Sequence, residues 1–356
     1  MSEPETSRET SLLKGPMLAL VSALLFGVST PLAKVLLGNI HPLMLASILY
    51  LGSGIGLFIY SRFRRELSET ALTAGDWLWF APAIFCGGIL GPILLLVGLQ
   101  LTSASAASLL LVLEGVFSAL IAWIAFREHF HIRIGIGMAA ITLGAAVLAW
   151  QGEFSLETAY GPALIVLACL SWAADNNFTR KVALSNPVQI AMIKGLVAGS
   201  VNLALCLLVG VVSFEPILVA AGALIGFLSY GVGLVIFVYA LRAIGSARTA
   251  AYYSVAPFIG ALVAVVLLGE PLTWQLAIAA LLMGIGVWLH LSENHEHPHQ
   301  HEALEHSHSH VHDMHHQHDH SAKDPAHEPH VHAHLHRPLR HTHPHFPDSH
   351  HTHGHT

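Results

Sequence analysis

The chain has 356 residues, of which 54% are hydrophobic and 11% are charged. An ordinary soluble domain carries about 25% charged residues, so this composition is typical of a membrane protein and excludes most soluble folds. The formal net charge of −6 comes largely from the C-terminal tail and gives no reason to expect a nucleic-acid partner. Cys86, Cys169 and Cys206 all lie in apolar stretches, so no disulfide framework is predicted.

Between Gly15 and Leu291 the charges cluster in short segments, separated by apolar runs of about 20 residues, the length that crosses a bilayer. We therefore predict an all-α integral membrane protein with ten transmembrane helices, numbered here as spans 1 to 10. Residues 1–14 are expected to be a cytoplasmic segment without a cleavage site. The predicted spans are 15–37, 42–61, 77–98, 103–126, 132–150, 160–181, 187–212, 216–240, 247–268 and 272–291.

The distribution of Lys and Arg predicts the orientation. If the N-terminus is cytoplasmic, the basic residues of the connections, such as Arg62, Arg127 and Arg180, all lie on the cytoplasmic side. The opposite loops, such as 151–160, contain no Lys or Arg. Because cytoplasmic loops carry the excess of basic residues, we predict a multi-pass protein of the inner (plasma) membrane with both termini in the cytoplasm.

The sequence also contains an internal repeat. A shift of 142 positions, or 146 near the start, superimposes identical residues of the two halves. Five spans per repeat is an odd number, so repeats 15–150 and 151–292 are predicted to insert in opposite directions. Inverted repeats are typical of secondary transporters, although duplication that merely enlarged a membrane protein is the alternative. The identical pairs include Gly15 and Gly161, Leu99 and Leu241, Ala119 and Ala261, Glu128 and Glu270, and Gly144 and Gly286.

These residues resemble a known family. The stretch 107–117, followed by Trp123 and Arg127-Glu128, resembles the fourth helix of the EamA family of the drug/metabolite transporter (DMT) superfamily. Gly269-Glu270-Pro271 is similar to the matching segment of the second repeat, and Phe26-Gly27 to the first helix. The resemblance covers essentially the whole body and implies secondary transport of a small metabolite or toxic compound, often as export. It also implies a cavity formed mainly by spans 1, 3, 4, 6, 8 and 9.

Ionisable groups inside a membrane are costly, so each is a candidate for function. Glu114 lies near the middle of span 4 and is predicted to couple protons or bind a substrate amine. The alternative is a protonated carboxyl that bonds a neighbouring helix. Asp175 and Lys194 lie at similar depth on consecutive spans and are expected to pair, either lining or gating the cavity or as a structural ion pair.

Further polar residues are weaker candidates for substrate binding. Asn176 and Asn177 follow Asp175, and since helical neighbours point about 100° apart, only one or two of the three can face a cavity. Tyr252 and Tyr253 replace two leucines of the first repeat, which predicts either substrate contacts in the second half or plain packing.

Two residues of span 1 stand out. Pro31 is predicted to interrupt span 1 and mark the site, although proline is also common in membrane helices. Lys34 is predicted to extend its ammonium to the membrane surface. Gly222-x-x-x-Gly226 predicts close helix packing, and Glu270 is expected to make helix-end contacts.

The tail 293–356 contains most of the histidines and few apolar residues, so we predict that it is disordered. Imidazole binds Zn, Ni, Co and Cu, with poor selectivity where no geometry is fixed. The tail could sense or buffer a transported metal, bind metal and regulate an unrelated exporter, or be a pH-responsive or incidental extension. The predicted metal ligands are His295, His297, His299, His301, His306, His308, His310, His312, His315, His316, His318, His320, His332, His334 and His336.

No phosphate-binding loop or protease motif occurs in the sequence, so an enzyme with a required cofactor is not predicted. The favoured hypothesis is an EamA-type secondary transporter, acting as an exporter, with the bilayer and a small solute as partners. Transport of a divalent transition metal and a non-transporting metal sensor are the alternatives, and assembly as a homodimer stays open.

Overall fold

The computed structural model describes residues 5–63, 72–126, 132–150, 156–182, 186–212, 214–291, 296–300, 304–310, 330–336 and 340–344. Within these ranges the body is helical, and strands occur in the tail.

Helices of the first repeat begin at residues suited to a helix start. Pro42 opens span 2, and proline fits a first turn because the N–H there needs no helical partner. Ser103 caps span 4 by accepting a hydrogen bond from the N–H of Ala106 at 3.3 Å. A π-helical segment, Ile84–Leu90, lies within span 3, and a 3-10 turn, Ala74–Asp76, precedes it. The helices are Glu5–Leu36, Pro42–Phe63, Trp77–Ala83, Gly91–Leu101, Ala104–Leu110, Leu113–Phe126 and Ile132–Ala149.

The second repeat shows similar starts and stops. Asn186 caps span 7, because its Oδ1 accepts from the N–H groups of Val188 at 2.9 Å and Gln189 at 3.2 Å. Gly210 ends this helix at φ 75°, a left-handed conformation that favours glycine. A π-helical segment, Phe227–Val232, lies within span 8, and the 3-10 turn Arg180–Val182 follows span 6. The helices are Leu156–Thr179, Pro187–Val209, Pro216–Gly226, Gly233–Tyr253, Ala256–Leu268 and Trp274–Leu291.

Each of the ten predicted spans coincides with helical residues. Among the described residues, seven helical segments are long and apolar enough to cross a membrane. Ala256–Leu268 and Trp274–Leu289 are shorter apolar helices. The all-helical body with two repeats is therefore confirmed.

Two local predictions are wrong. Pro31 lies inside the continuous helix Glu5–Leu36 and does not interrupt it, because a helix can lose one backbone hydrogen bond and continue. Helical structure also runs from Gly233 to Tyr253 through the predicted connection 241–246. The local helical hydrogen bonds satisfy the backbone there, which a polar loop would leave to solvent.

The helices of the two repeats interlock in equivalent pairs. Span 1 packs against spans 8 and 9, and its counterpart, span 6, packs against spans 3 and 4. Span 2 packs on span 7, span 4 on span 9, and span 5 on span 10. Exchanging the repeats converts the contacts of span 1 into those of span 6 and maps each of the other three pairs onto itself. This is the pattern expected for inverted repeats related by a pseudo-two-fold axis.

Glycines allow the closest of these approaches. Spans 2 and 7 cross at Gly54 and Gly195, where a Cβ on Gly195 would lie 2.7 Å from the backbone nitrogen of Gly54. Gly226, from the predicted small-residue motif, faces the backbone of Leu49 in the same way. Such contacts let helix backbones approach closely enough for dense packing in a membrane.

The tail contains regular structure where the structure describes it. Glu296–Gln300 pairs antiparallel with Arg340–Pro344, and Leu304–His310 pairs with His330–His336. The prediction of a disordered tail is corrected for these four segments, because paired backbones satisfy one another's N–H and C=O groups without an apolar core. The predicted ligands His295, His301, His312, His315, His316, His318 and His320 lie outside the described residues.

We expect the substitution Gly54→Ala to destabilise the protein. Its Cβ would lie 2.5 Å from the backbone nitrogen of Leu196, so spans 2 and 7 must separate. Such overpacking typically costs about 1–3 kcal/mol. Thermal unfolding of the full chain in detergent measures the effect. The control is Gly135→Ala, also helical, where a Cβ would meet nothing within 4 Å. Equal melting temperatures for the two variants would contradict the packing argument.

Candidate functional site

A cavity of about 610 Å³ lies between the two repeats. Of the predicted site residues, Glu114, Asp175, Asn176, Lys194 and Tyr253 line it. Its lining comes from all ten spans, including spans 2, 5, 7 and 10, which the family resemblance did not imply. The close crossing of spans 2 and 7 at glycines brings their polar side chains to the centre.

Glu114 is positioned by a break in span 4. Helix Ala104–Leu110 ends, the N–H groups of Val112 and Glu114 bond to carbonyls three residues back, and a second helix begins at Leu113. The carboxylate therefore lies in the first turn of a helix, where the helix dipole is favourable to an anion. The Nδ2 of Asn176 donates to its Oε1 at 2.7 Å, so Glu114 is bonded to a neutral amide of span 6.

Asp175 and Lys194 form an ion pair between spans 6 and 7. Thr179 Oγ1 donates to Asp175 Oδ1 at 2.9 Å, so both carboxylate oxygens have partners. The side chains of Asp175 and Lys194 are 7% and 16% exposed. Gly87 lies directly against Asp175 and leaves no room for a Cβ, which explains a glycine at this position of span 3.

The π-helical segment of span 3 supplies free carbonyl groups to this region. Gly87 O accepts from Tyr50 Oη at 2.6 Å and from Trp172 Nε1 at 2.9 Å, while Gly88 O accepts from Asn202 Nδ2 at 3.3 Å. Pro92 has no N–H to offer these carbonyls, which frees them for side chains of other spans. π-turns often occur at functional sites, and here the turn ties spans 2, 6 and 7 to span 3.

The second π-helical segment lies at the equivalent place in the second repeat. A shift of 142 positions carries Ile84–Leu90 onto 226–232, and the structure has a π-helix at Phe227–Val232. The break of span 4 likewise corresponds to the break of span 9 before Ala256. Discontinuous helices at a repeat interface are typical of transporter binding sites. The sequence prediction placed the break at Pro31 and missed all four of these positions.

Aromatic rings form one wall of the cavity. Phe26 lies between Tyr230 and Tyr253, with ring centroids 5.9 Å and 5.8 Å away. Phe237 contacts Tyr253 at 4.7 Å, and Tyr50 contacts Tyr230 at 5.6 Å. The sequence prediction singled out Tyr253 but missed Phe26, Tyr50 and Phe237, since an aromatic residue in an apolar run does not reveal which way it faces.

Three predicted site residues lie outside the lining. Asn177 is buried and donates to the backbone oxygen of Ala173 at 2.8 Å, so it satisfies its own helix. Tyr252 is 37% exposed and points away from the cavity that Tyr253 lines, because successive helical residues differ by about 100°. Pro31 is buried within the helix of span 1. These three residues therefore do not line the cavity, and their contact with a substrate stays a prediction.

The expected outer end of the bundle is held by two charged side chains. Glu270, at the end of span 9, accepts from the N–H of Ala104 at 2.7 Å and of Ser105 at 2.8 Å. Lys34 donates to the carbonyls of Leu99 at 2.6 Å and Thr102 at 2.9 Å. These bonds join spans 1 and 9 to the connection between spans 3 and 4. Lys34 therefore satisfies the end of a helix, and its extension to the membrane surface stays a prediction.

The part of the chain that the structure describes lacks a cluster of metal-ligand side chains. Its His, Cys, Asp and Glu residues form no group of three or more that could hold a metal ion.

We expect Glu270→Ala to lower stability by about 0.5–2 kcal/mol, the usual cost of losing a helix cap. The substitution leaves the N–H groups of Ala104 and Ser105 without the carboxylate that binds them. Glu215→Ala is the matched control, because Glu215 precedes span 8 on the same expected side and its side chain makes no cap hydrogen bond. Thermal unfolding in detergent compares them. A loss as large for Glu215→Ala would show that the cap is unimportant.

Comparisons with known proteins agree with this architecture. A family model of the EamA-like transporter family matches residues 13–150 and 159–292, one match for each repeat. An uncharacterized transporter of Methanothermobacter thermautotrophicus is 27% identical over 303 residues, which cover 80% of this chain and 88% of that protein. One solved crystal structure superimposes with a TM-score of 0.58 at 17% identity, covering 78% of this chain and 96% of the other, and shows the shared fold.

The family matches span both repeats and nearly the whole helical body. The cavity between the repeats, with charged and polar residues from several spans, fits the same conclusion. The chain belongs to the EamA-like transporter family and is a multi-pass membrane transporter.

Proposed function

We propose that this transporter carries a small organic solute, a metabolite or toxic compound, out of the cytoplasm across the inner (plasma) membrane. The observation that carries the proposal is the cavity between the repeats, in which Glu114, Asp175 and Lys194 meet. Charged groups inside a membrane are expensive and mark the paths of ions and substrates. Both termini are proposed to be cytoplasmic, as the distribution of Lys and Arg predicts.

The cavity extends toward the expected cytoplasmic side, which gives an exported solute a point of entry. Its lining reaches Thr179 of span 6 and Phe237 of span 8, both in the half of the bundle nearer the expected cytoplasmic side. At the other end, Lys34 and Glu270 join spans 1 and 9 to the connection between spans 3 and 4. A solute would therefore enter from the cytoplasm, and release outside would require these outer contacts to part.

Glu114 is the proposed coupling residue. Asp175 is already neutralised by Lys194, whereas the described partner of the Glu114 carboxylate is the neutral amide of Asn176. A carboxylate without a cationic partner in a membrane can be neutralised by a proton or by a cationic group of a substrate. Alternating occupancy of Glu114 would exchange a proton for the solute.

We expect Glu114→Gln to abolish proton-coupled export. Gln keeps the shape and an oxygen that can accept from Asn176, but it cannot release a proton. Cells expressing the full chain, Glu114→Gln or the control Glu215→Gln would be compared by mass spectrometry of metabolites in the medium. The full chain and the control should enrich a small solute that Glu114→Gln does not. Equal enrichment with Glu114→Gln would contradict the coupling role.

We also infer that the tail binds divalent transition metals such as Zn, Ni, Co or Cu. The strand register supports this, because it sets histidine opposite histidine at several positions, and imidazole suits these ions. The tail would then regulate the transporter or buffer a metal. The opposed pairs are His297 with His343, His299 with His341, His306 with His334, His308 with His332, and His310 with His330.

Ending the chain at Asn294 should remove most bound metal. Purified full chain and truncated chain would be dialysed against Ni²⁺, and bound nickel measured by mass spectrometry. Thermal unfolding checks that the truncated body remains folded. Equal nickel binding would contradict a metal-binding tail. Cellular nickel that changes with Glu114→Gln would instead identify the metal as the transported solute and contradict an organic one.

A further inference from the structure

We propose that the cavity selects a small organic cation with a flat apolar body. This inference rests on the proposed function, because it assumes that the transported solute passes through this cavity. It follows from the charge balance of the cavity lining and from the group of aromatic rings that lines the same cavity, which neither the family nor the relatives specify.

The charge of the lining favours a cation. Among the described lining residues, the acidic and basic side chains are Glu114, Asp175 and Lys194. Asp175 and Lys194 neutralise each other and are further held by Thr179. The remaining charge is the single carboxylate of Glu114, bonded to the amide of Asn176. A monovalent cation therefore brings the ionised cavity to neutrality.

The same arrangement disfavours an anion. Lys194 is the one cationic side chain of the described lining, and its Nζ is bonded to Asp175. An anionic solute could reach Lys194 only by displacing Asp175, which would leave a buried carboxylate without its partner. Breaking a buried pair in this way is strongly unfavourable. A zwitterion could use Glu114 but would meet the same obstacle with its carboxylate.

The aromatic rings of the cavity favour a flat apolar group on the solute. Phe26, Tyr253 and Phe237 form a continuous group of rings, and Phe26, Phe237, Tyr253 and Glu114 line the same cavity. Ring faces attract cations and stack on flat apolar groups. A solute with its ammonium at Glu114 and its body against Phe26 and Tyr253 satisfies both sides. The cavity, about 610 Å³, is large enough for such a molecule.

Four compounds with the same phenyl body separate charge from shape. They are 2-phenylethylamine, the neutral 2-phenylethanol, phenylacetate and zwitterionic phenylalanine. Titration calorimetry on the purified full chain should show 2-phenylethylamine binding about tenfold or more tightly than each of the others, a difference that one favourable ion pair can supply. Tightest binding of phenylacetate or phenylalanine, similar affinity for all four, or no binding at all would overturn the inference.

Variants assign the two contacts. Glu114→Gln should reduce the preference for the amine over the alcohol to about threefold or less, since the charge contribution is removed. Tyr253→Leu should weaken the binding of 2-phenylethylamine. Tyr253→Phe, which keeps the ring, should leave that affinity unchanged. Glu215→Gln, an exposed carboxylate outside the cavity, should leave all four affinities unchanged. An amine preference that survives Glu114→Gln would overturn the assignment, and unfolding curves exclude misfolding as the cause.

The outcomes are distinguishable from failure of the proposed function. If cells export a solute in a Glu114-dependent way and the solute is an anion, transport stands and the cation inference fails. If 2-phenylethylamine binds with the predicted dependence on Glu114 but no solute leaves the cell, the cation site stands and export fails.

Discussion

Inside a bilayer, every backbone N–H and C=O group must find a partner within the protein, and the structure around the cavity depends on this constraint. A cavity at the centre of a helical bundle needs interrupted helices, and each interruption releases backbone groups. Side chains from other spans take them up: Tyr50 and Trp172 at Gly87, Asn202 at Gly88, and Glu270 at the start of span 4. Except for that of Tyr50, which lies within the first repeat, these bonds also join the two repeats.

Because these polar side chains bond backbone groups, fewer polar side chains of the cavity remain available to bind a solute. Trp172 faces the cavity, yet its Nε1 is committed to a backbone oxygen. Asp175 is committed to Lys194 and Thr179. Glu114 differs because its recorded side-chain partner is a neutral amide, which can remain bonded whether or not the carboxyl carries a proton. The most polar residues of the sequence are thus not equally available, and availability cannot be judged from polarity alone.

Much of the fold could be predicted from the sequence because apolar runs, basic connections and a repeat are properties of the chain itself. The depth argument for Asp175 and Lys194 correctly anticipated their meeting, since consecutive antiparallel helices fix relative height. Which side chains of a helix face the cavity could not be predicted in this way. Tyr252 and Tyr253 are neighbours of identical chemistry, and only the rotation of one helix decides that Tyr253 lines the cavity. The π-turns escaped prediction because their signals, glycine and proline, also occur in ordinary membrane helices.

The repeat explains why the cavity has two different sides. The pseudo-two-fold axis relates spans 1, 8 and 9 to spans 6, 3 and 4, so a freshly duplicated protein would present the same groups twice. The sequences have since diverged at equivalent positions: the offset of 146 sets Ser29 of span 1 against Asp175 of span 6, and the offset of 142 sets Leu111 of span 4 against Tyr253 of span 9. The charged lining residues lie on spans 4, 6 and 7, whereas the ring group of Phe26, Tyr230, Phe237 and Tyr253 lies on spans 1, 8 and 9. A symmetric cavity would accept a solute in two opposed orientations, whereas a cavity with one charged and one aromatic side fixes a single orientation. The divergence of the two halves is therefore the feature that turns a symmetric scaffold into a selective site.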